Sequence, residues 1–163
     1  MRAARYHGRV RAPLLVVFSL LAAAPVGACS STELPKPPPR LTLVPAPAGE
    51  VTAAIREQTR LAAAHGGQLL VYVGATWCEP CQEFHKAAAS GTLDQVFPGL
   101  VLLEFDADQD GDRLAAAGYR SKLVPLFVRP ADDGSSSGRQ TEGVRRGSDA
   151  VADLTPRLRG LLH

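Results

Sequence analysis

Between Glu50 and His65 the apolar positions Val51, Ala54, Ile55, Leu61 and Ala62 recur near helical spacing, and Gly66-Gly67 supplies a stop. That spacing predicts a helix. Gln68 to Gly74 (QLLVYVG) is a short β-rich run, and Pro80 to Ala89 then reads as a helix ending near Gly91. Gly99 to Asp106 (GLVLLEFD) predicts a second strand and Asp110 to Gly118 a helix, while Lys122 to Arg129 (KLVPLFVR) predicts a third strand interrupted by Pro125. The polar Gly/Ser stretch Asp132 to Gly138 predicts a turn. After it, Gln140 to Arg146 pairs back as a hairpin strand and Ala150 to Leu162 forms an amphipathic helix. Strands and helices in this order specify an α/β fold in which helices cover a mixed sheet. No internal repeat is present.

The pattern before Glu50 is different. Arg2, Arg5, Arg9 and Arg11 precede a short apolar stretch, Pro13 to Ala24 (PLLVVFSLLAAA), which ends in small residues. This reads as an export signal over residues 1–28. The apolar run is about a dozen residues, short of the roughly 20 that span a bilayer, so a transmembrane helix fits less well. Val26-Gly27-Ala28-Cys29 resembles the lipobox of bacterial lipoproteins, which implies that Cys29 is lipidated. A plain signal-peptidase site also fits Val26 and Ala28, but lipidation accounts for the third cysteine as well. Six of the twenty residues from Ser30 to Gly49 are proline. That composition predicts an extended spacer over 29–49, of about 60 Å at ~3.1 Å per residue, ahead of one domain over 50–163.

Charge narrows the function classes. The formal charge is +2, from 18 basic and 16 acidic residues, but four of the arginines lie in the first 28 residues, which hold no acid. Without that segment 14 basic residues face 16 acidic ones, a net of −2. No general nucleic-acid partner is expected from so balanced a surface. Arg145-Arg146 reads as a solvated pair.

The remaining chemistry centres on Trp77-Cys78-Glu79-Pro80-Cys81. Two cysteines with two residues between them, at the first turn of a helix, can close a small ring disulfide without moving the backbone. The thiolate is the nucleophile, and the unpaired N–H groups of a helix N-terminus lower the pKa of the Cys78 thiol. Cys78 is expected to be exposed and to attack first, with Cys81 resolving the mixed disulfide. A carboxylate on Glu79, roughly 6 Å from the sulfur in water-like surroundings, opposes the thiolate by about 0.7 kcal/mol. Glu79 therefore makes the pair more reducing than a neutral dipeptide would. No cofactor beyond this redox-active disulfide is implied.

This motif after an apolar strand, with Val124-Pro125 downstream and Gly147 before the last helix, resembles the thioredoxin superfamily over about Glu50 to His163. The resemblance implies the thioredoxin fold, a cis peptide bond at Pro125, and a substrate surface made by Trp77, Val124, Pro125 and Gly147. An edge-strand proline is the alternative reading of Pro125. The segment Trp77 to Lys86 is similar to periplasmic reductase domains, and Cys-Glu-Pro-Cys to the tethered thioredoxins of cytochrome c maturation. The implied partners are disulfide-containing or thiol proteins and an upstream reductant. The implied place is the periplasmic side of a bacterial envelope, at a membrane through a lipid anchor. Ser30 after Cys29 is compatible with outer-membrane sorting.

Two positions depart from the family. Its buried aspartate aligns with Tyr72, which cannot act as a base near neutrality, and its neighbouring lysine aligns with Glu104. Alternation places Glu104 with Leu102 and Asp106 on one face, where burial would suit its carboxyl to exchanging a proton with Cys81. A solvated strand-end carboxylate is the plainer reading. Trp77 is read as shielding the disulfide rather than as core. His85 sits one turn after Cys81, so Cys78, Cys81 and His85 form a three-ligand alternative for copper or zinc; a solvated His85 is the competing reading.

Overall fold

The computed structural model describes residues 39–147 and 149–163. The predicted signal segment, Cys29 and the first part of the predicted spacer lie outside the described residues. Among the described residues no helix is long and apolar enough to cross a membrane.

The order of elements is β1 (Thr42–Pro45), α1 (Val51–Ala64), β2 (Gln68–Gly74), α2 (Glu79–Ala89), β3 (Leu100–Asp106), α3 (Ala107–Ala116), β4 (Leu126–Pro130), β5 (Ser136–Glu142) and α4 (Asp149–Leu162). The strands form one sheet in the order β1-β3-β2-β4-β5. β1, β3 and β2 run parallel, with Leu43 opposite Leu102 and Tyr72 opposite Glu104. β4 is antiparallel to β2, and β5 to β4. Parallel central strands with an antiparallel hairpin at one edge, covered by four helices, make the thioredoxin fold expected from the sequence.

Strand alternation sends side chains to two cores. Leu70, Tyr72, Leu102 and Phe127 pack with Phe84 and Ala88 of α2 and Leu154, Leu158 and Leu161 of α4. Leu69, Val71, Val73, Leu103 and Phe105 pack on the other face with Val51, Ile55 and Ala62 of α1 and Leu114 of α3. From Leu69 to Gly74 every residue of β2 is buried, as a strand covered on both faces requires. Burial of each such leucine or phenylalanine contributes on the order of 2 kcal/mol.

Four expectations shift. The sheet begins inside the predicted spacer: Leu41 is 7% exposed and belongs to the core, and Thr42–Pro45 pairs with β3. A strand of four residues with prolines on both sides has the composition of a spacer. Pro45 is tolerated because β1 is an edge strand and its missing donor breaks no inner ladder. α3 starts at Ala107 rather than Asp110, because Asp106 ends β3 and at once caps the helix, accepting from the N–H groups of Asp108 (2.8 Å) and Gln109 (3.0 Å). β4 starts after Pro125. The hairpin turn is only Ala131 to Ser135, closed by the Ala131 N–H to the Ser135 carbonyl at 2.8 Å, so β5 lies four residues earlier than Gln140 to Arg146.

Candidate active site

Strand β2 ends at Gly74, and after the three residues Ala75, Thr76 and Trp77 the chain turns at Cys78 into α2. Cys78 is the N-cap of that helix, in extended conformation, and its Sγ accepts the Cys81 N–H at 3.2 Å. Pro80 lies in the first turn, where its missing N–H breaks no helical bond. Cys78 and Cys81 are joined as a disulfide with Cα atoms 5.2 Å apart. The approach loop is held at its middle by two side-chain bonds: Gln82 Nε2 donates to the Thr76 carbonyl at 2.7 Å, and Trp77 Nε1 to Asp108 Oδ2 at 2.8 Å.

Cys78 is not exposed as expected; the residue is 3% exposed and Cys81 2%. Access to Cys78 runs through a cleft of about 490 Å³ whose walls include Trp77, Val124 and Gly143. Trp77 stands 66% exposed at that wall, so it is not core, and it lies beside the disulfide. The Val124–Pro125 bond is cis, and Pro125 is buried. The Gly143 N–H donates to the Pro125 carbonyl at 2.8 Å, and a Cβ on Gly143 would stand 2.6 Å from Pro125 Cδ. Only glycine fits that approach. Gly147, expected in the substrate surface, is not among the residues lining the cleft; it precedes α4, its carbonyl accepting the Ala150 N–H at 3.1 Å. The misplacement follows from the late placement of the hairpin strand, which hid the glycine directly after β5.

Cys81 lines a second cleft, of about 730 Å³, together with Tyr72, Gly74, His85 and Glu104. Tyr72 and Glu104 are direct partners across β2 and β3. His85 Nε2 lies 2.7 Å from Glu104 Oε1, an ion pair when the imidazole is protonated. Hydrogen bonding to Glu104 raises the His85 pKa against the opposing effect of partial burial. The His85 ring also packs on Tyr72, with centroids 5.6 Å apart. Burial, reinforced by the negative charge of Glu104, pushes the Tyr72 phenol well above its ordinary range. Tyr72 is thus no base, in line with the sequence. Its buried hydroxyl finds no hydrogen-bond partner among the described residues, and a Cβ on Gly74 would come within 2.6 Å of it.

Glu104 is therefore neither fully buried nor a free strand-end carboxylate: its side chain is 29% exposed and bonded to His85. His85 is not simply solvated, and sequence reasoning missed its partner. Among the described residues no group of three or more His, Cys, Asp or Glu is placed to hold a metal ion. In this disulfide form the two sulfurs bond each other and His85 Nε2 faces Glu104.

No family model matches the chain, and no curated protein matches it. Among solved structures, thioredoxin O1 from Arabidopsis thaliana is 18% identical, with a TM-score of 0.46 over 76% of this chain and 99% of its own. A poplar thioredoxin h is 18% identical, with a TM-score of 0.45 over 76% of this chain and 96% of its own. A mutant thioredoxin from Halobacterium salinarum is 23% identical, with a TM-score of 0.39 over 71% of this chain and 88% of its own.

Proposed function

We propose that this protein is a thiol–disulfide oxidoreductase that reduces protein disulfides outside the cytoplasm. One observation carries the reading: a disulfide at a helix N-terminus, its first sulfur capping the helix and opening into a cleft walled by the residue before a cis proline. In the reduced protein the Cys78 thiolate attacks one sulfur of a substrate disulfide. A substrate thiolate leaves and takes a proton, and a mixed disulfide remains on Cys78. Cys81 gives up its proton and attacks Cys78 Sγ, which releases the second substrate thiol and restores the Cys78–Cys81 disulfide. The Cys81 N–H at Cys78 Sγ and the helix N-terminus both favour the thiolate.

Glu79, at the mouth of the Cys78 cleft, opposes that charge and favours reduction over oxidation. Glu104, in the cleft behind Cys81 and bonded to His85, exchanges the proton of Cys81. An upstream reductant recharges the pair. The charged start of the chain, its apolar run and Cys29 support export and lipid anchoring on the periplasmic side of an envelope.

Chemically reduced protein is expected to reduce a model protein disulfide, and Cys81→Ala to accumulate disulfide-linked partners on Cys78. Failure to reduce any protein disulfide overturns the reading. A potential near that of the strong oxidants, about −120 mV, reverses the assigned direction. An unchanged pH profile of disulfide reduction in Glu104→Gln removes Glu104 from the mechanism. Retention of Cys29→Ser in the membrane fraction argues against the lipid anchor.

A further inference from the structure

The walls of the Cys78 cleft carry more than access to sulfur. Of the large apolar side chains exposed among the described residues, Trp77, Leu123 and Val144 all line this cleft, at 66%, 49% and 53% exposure. An exposed apolar cluster rimmed by polar groups marks a protein-binding surface. The polar rim here is one-sided. Lys122, Arg145 and Arg146 line the cleft, and none of them forms an ion pair among the described residues.

Glu79 is the one carboxylate lining it, so three cations against one anion leave +2. Two further carboxylates stand just outside the lining and keep their charge: Asp108, which accepts from Trp77, and Glu142, which accepts from the Ser121 hydroxyl. Residues 29–163 carry 14 basic and 16 acidic groups, so with the cleft's three and one removed, 11 face 15, a net of −4. The three lining cations, free of ion pairs among the described residues, offer partners inside an apolar-walled cleft to the acidic side chains of a segment bound at Cys78.

We infer that the preferred substrate segment is an extended polypeptide with acidic and apolar side chains flanking its cysteine, held by Lys122, Arg145, Arg146 and the Trp77–Leu123–Val144 cluster. This rests on the oxidoreductase reading for its biological meaning, but the binding preference stands apart from catalysis. Trp77 is the only tryptophan of the chain, so its fluorescence reports occupancy of this cleft.

The test titrates the full chain carrying Cys78→Ser and Cys81→Ser with two peptides matched in length around a central serine, one flanked by Asp and Leu, the other by Lys and Leu. About twofold from each of three exposed ion pairs gives about tenfold tighter binding of the acidic peptide at low ionic strength, shrinking at high salt. Arg145→Glu with Arg146→Glu should abolish or invert the preference. In parallel, the chain with both cysteines intact should reduce an acidic disulfide peptide faster than a basic one; this covers the case in which the serine variant does not fold.

Equal affinity for the two peptides, or a preference that ignores salt and the charge reversal, overturns the inference. So does a Trp77 response to vesicles of anionic phospholipid with none to either peptide. Absence of any disulfide reduction, with the peptide preference intact, overturns the oxidoreductase reading alone.

Discussion

Glu104→Gln is the most direct probe of the cleft behind Cys81. The change keeps the shape of the side chain and removes its charge. In the native protein the carboxylate bonds His85 Nε2 at 2.7 Å and raises the imidazole pKa above its ordinary 6.5, while partial burial works the other way. With the charge gone the interaction that favours the imidazolium is weakened while burial still opposes it, so the His85 midpoint should fall in the variant.

The other ionisable groups lining this cleft are Cys81, Tyr72, Asp106, Asp110 and Arg113. Cys81 is held in the disulfide in the oxidised protein, Tyr72 stays protonated, and Arg113 is paired with Asp110 at 2.8 Å. Because the two side chains are 41% and 29% exposed, solvent screens the pair, and its contribution to stability is about 0.5–1 kcal/mol. The sign follows from the raised pKa. The folded state holds the His85 proton more tightly than the unfolded one, so this stability is fully present below the unfolded value and is lost as pH rises through the folded value.

Denaturant unfolding of oxidised protein should therefore show Glu104→Gln less stable by about 0.5–1 kcal/mol near pH 5 and by less than half of that near pH 8.5. Proton NMR of the His85 ring follows the titration itself. A His85 midpoint that does not move, or an equal stability loss at both pH values, would refute the reasoning.

Three further outcomes test the fold that carries the site. Gly134→Ala should lower stability by about 2–4 kcal/mol in denaturant unfolding, because Gly134 has φ 81° and a Cβ there would lie 2.3 Å from the Thr52 carbonyl oxygen. Tyr119→Phe should cost about 1 kcal/mol in the same assay, since the buried Tyr119 hydroxyl donates to the Gly134 carbonyl at 2.9 Å and its loss strands that acceptor. Phe84→Ala should cost about 3–5 kcal/mol, because Phe84 is 1% exposed and its ring lies 5.0 Å from Phe127 and 6.0 Å from Tyr72.

What was legible in the sequence was local or strongly patterned. β2 and α2 were readable because an apolar run and a helical face adjoin the cysteine pair directly. Pro125 stood out because a proline inside a β-like run has few explanations. The misses share a different origin. Leu41 to Pro45 is too short to outweigh the prolines around it, and only pairing with Leu100–Asp106, far along the chain, makes it a strand. Ser136, Ser137 and Gly138 have turn composition but lie in β5, because the ladder to β4 overrides local preference. Gly143 was passed over for Gly147 as a consequence of that same shift. Burial of Cys78 is imposed by tertiary packing, of which the motif itself carries no trace. The His85–Glu104 pair joins residues 19 positions apart (104 − 85), on α2 and β3, a contact that no spacing rule on one helix reveals.

The first strand also has a mechanical meaning. Leu41 is clamped where the chain enters the sheet, its N–H donating to Asp94 Oδ1 at 3.1 Å while Arg40 lies 3.7 Å from Asp94 Oδ2. Beyond it, β1 runs parallel to β3 from Thr42 to Pro45, and the Ala46 N–H donates to the Glu104 carbonyl at 2.8 Å. A pull directed along β1 from the preceding chain is therefore borne first by the Asp94 clamp and then by β1, and it loads the ladder to β3 in shear rather than peeling it bond by bond. Glu104 and Phe105 lie on that loaded neighbour and line the cleft behind Cys81, so tension at the N-terminal end of the domain is delivered to the strand that flanks the redox pair.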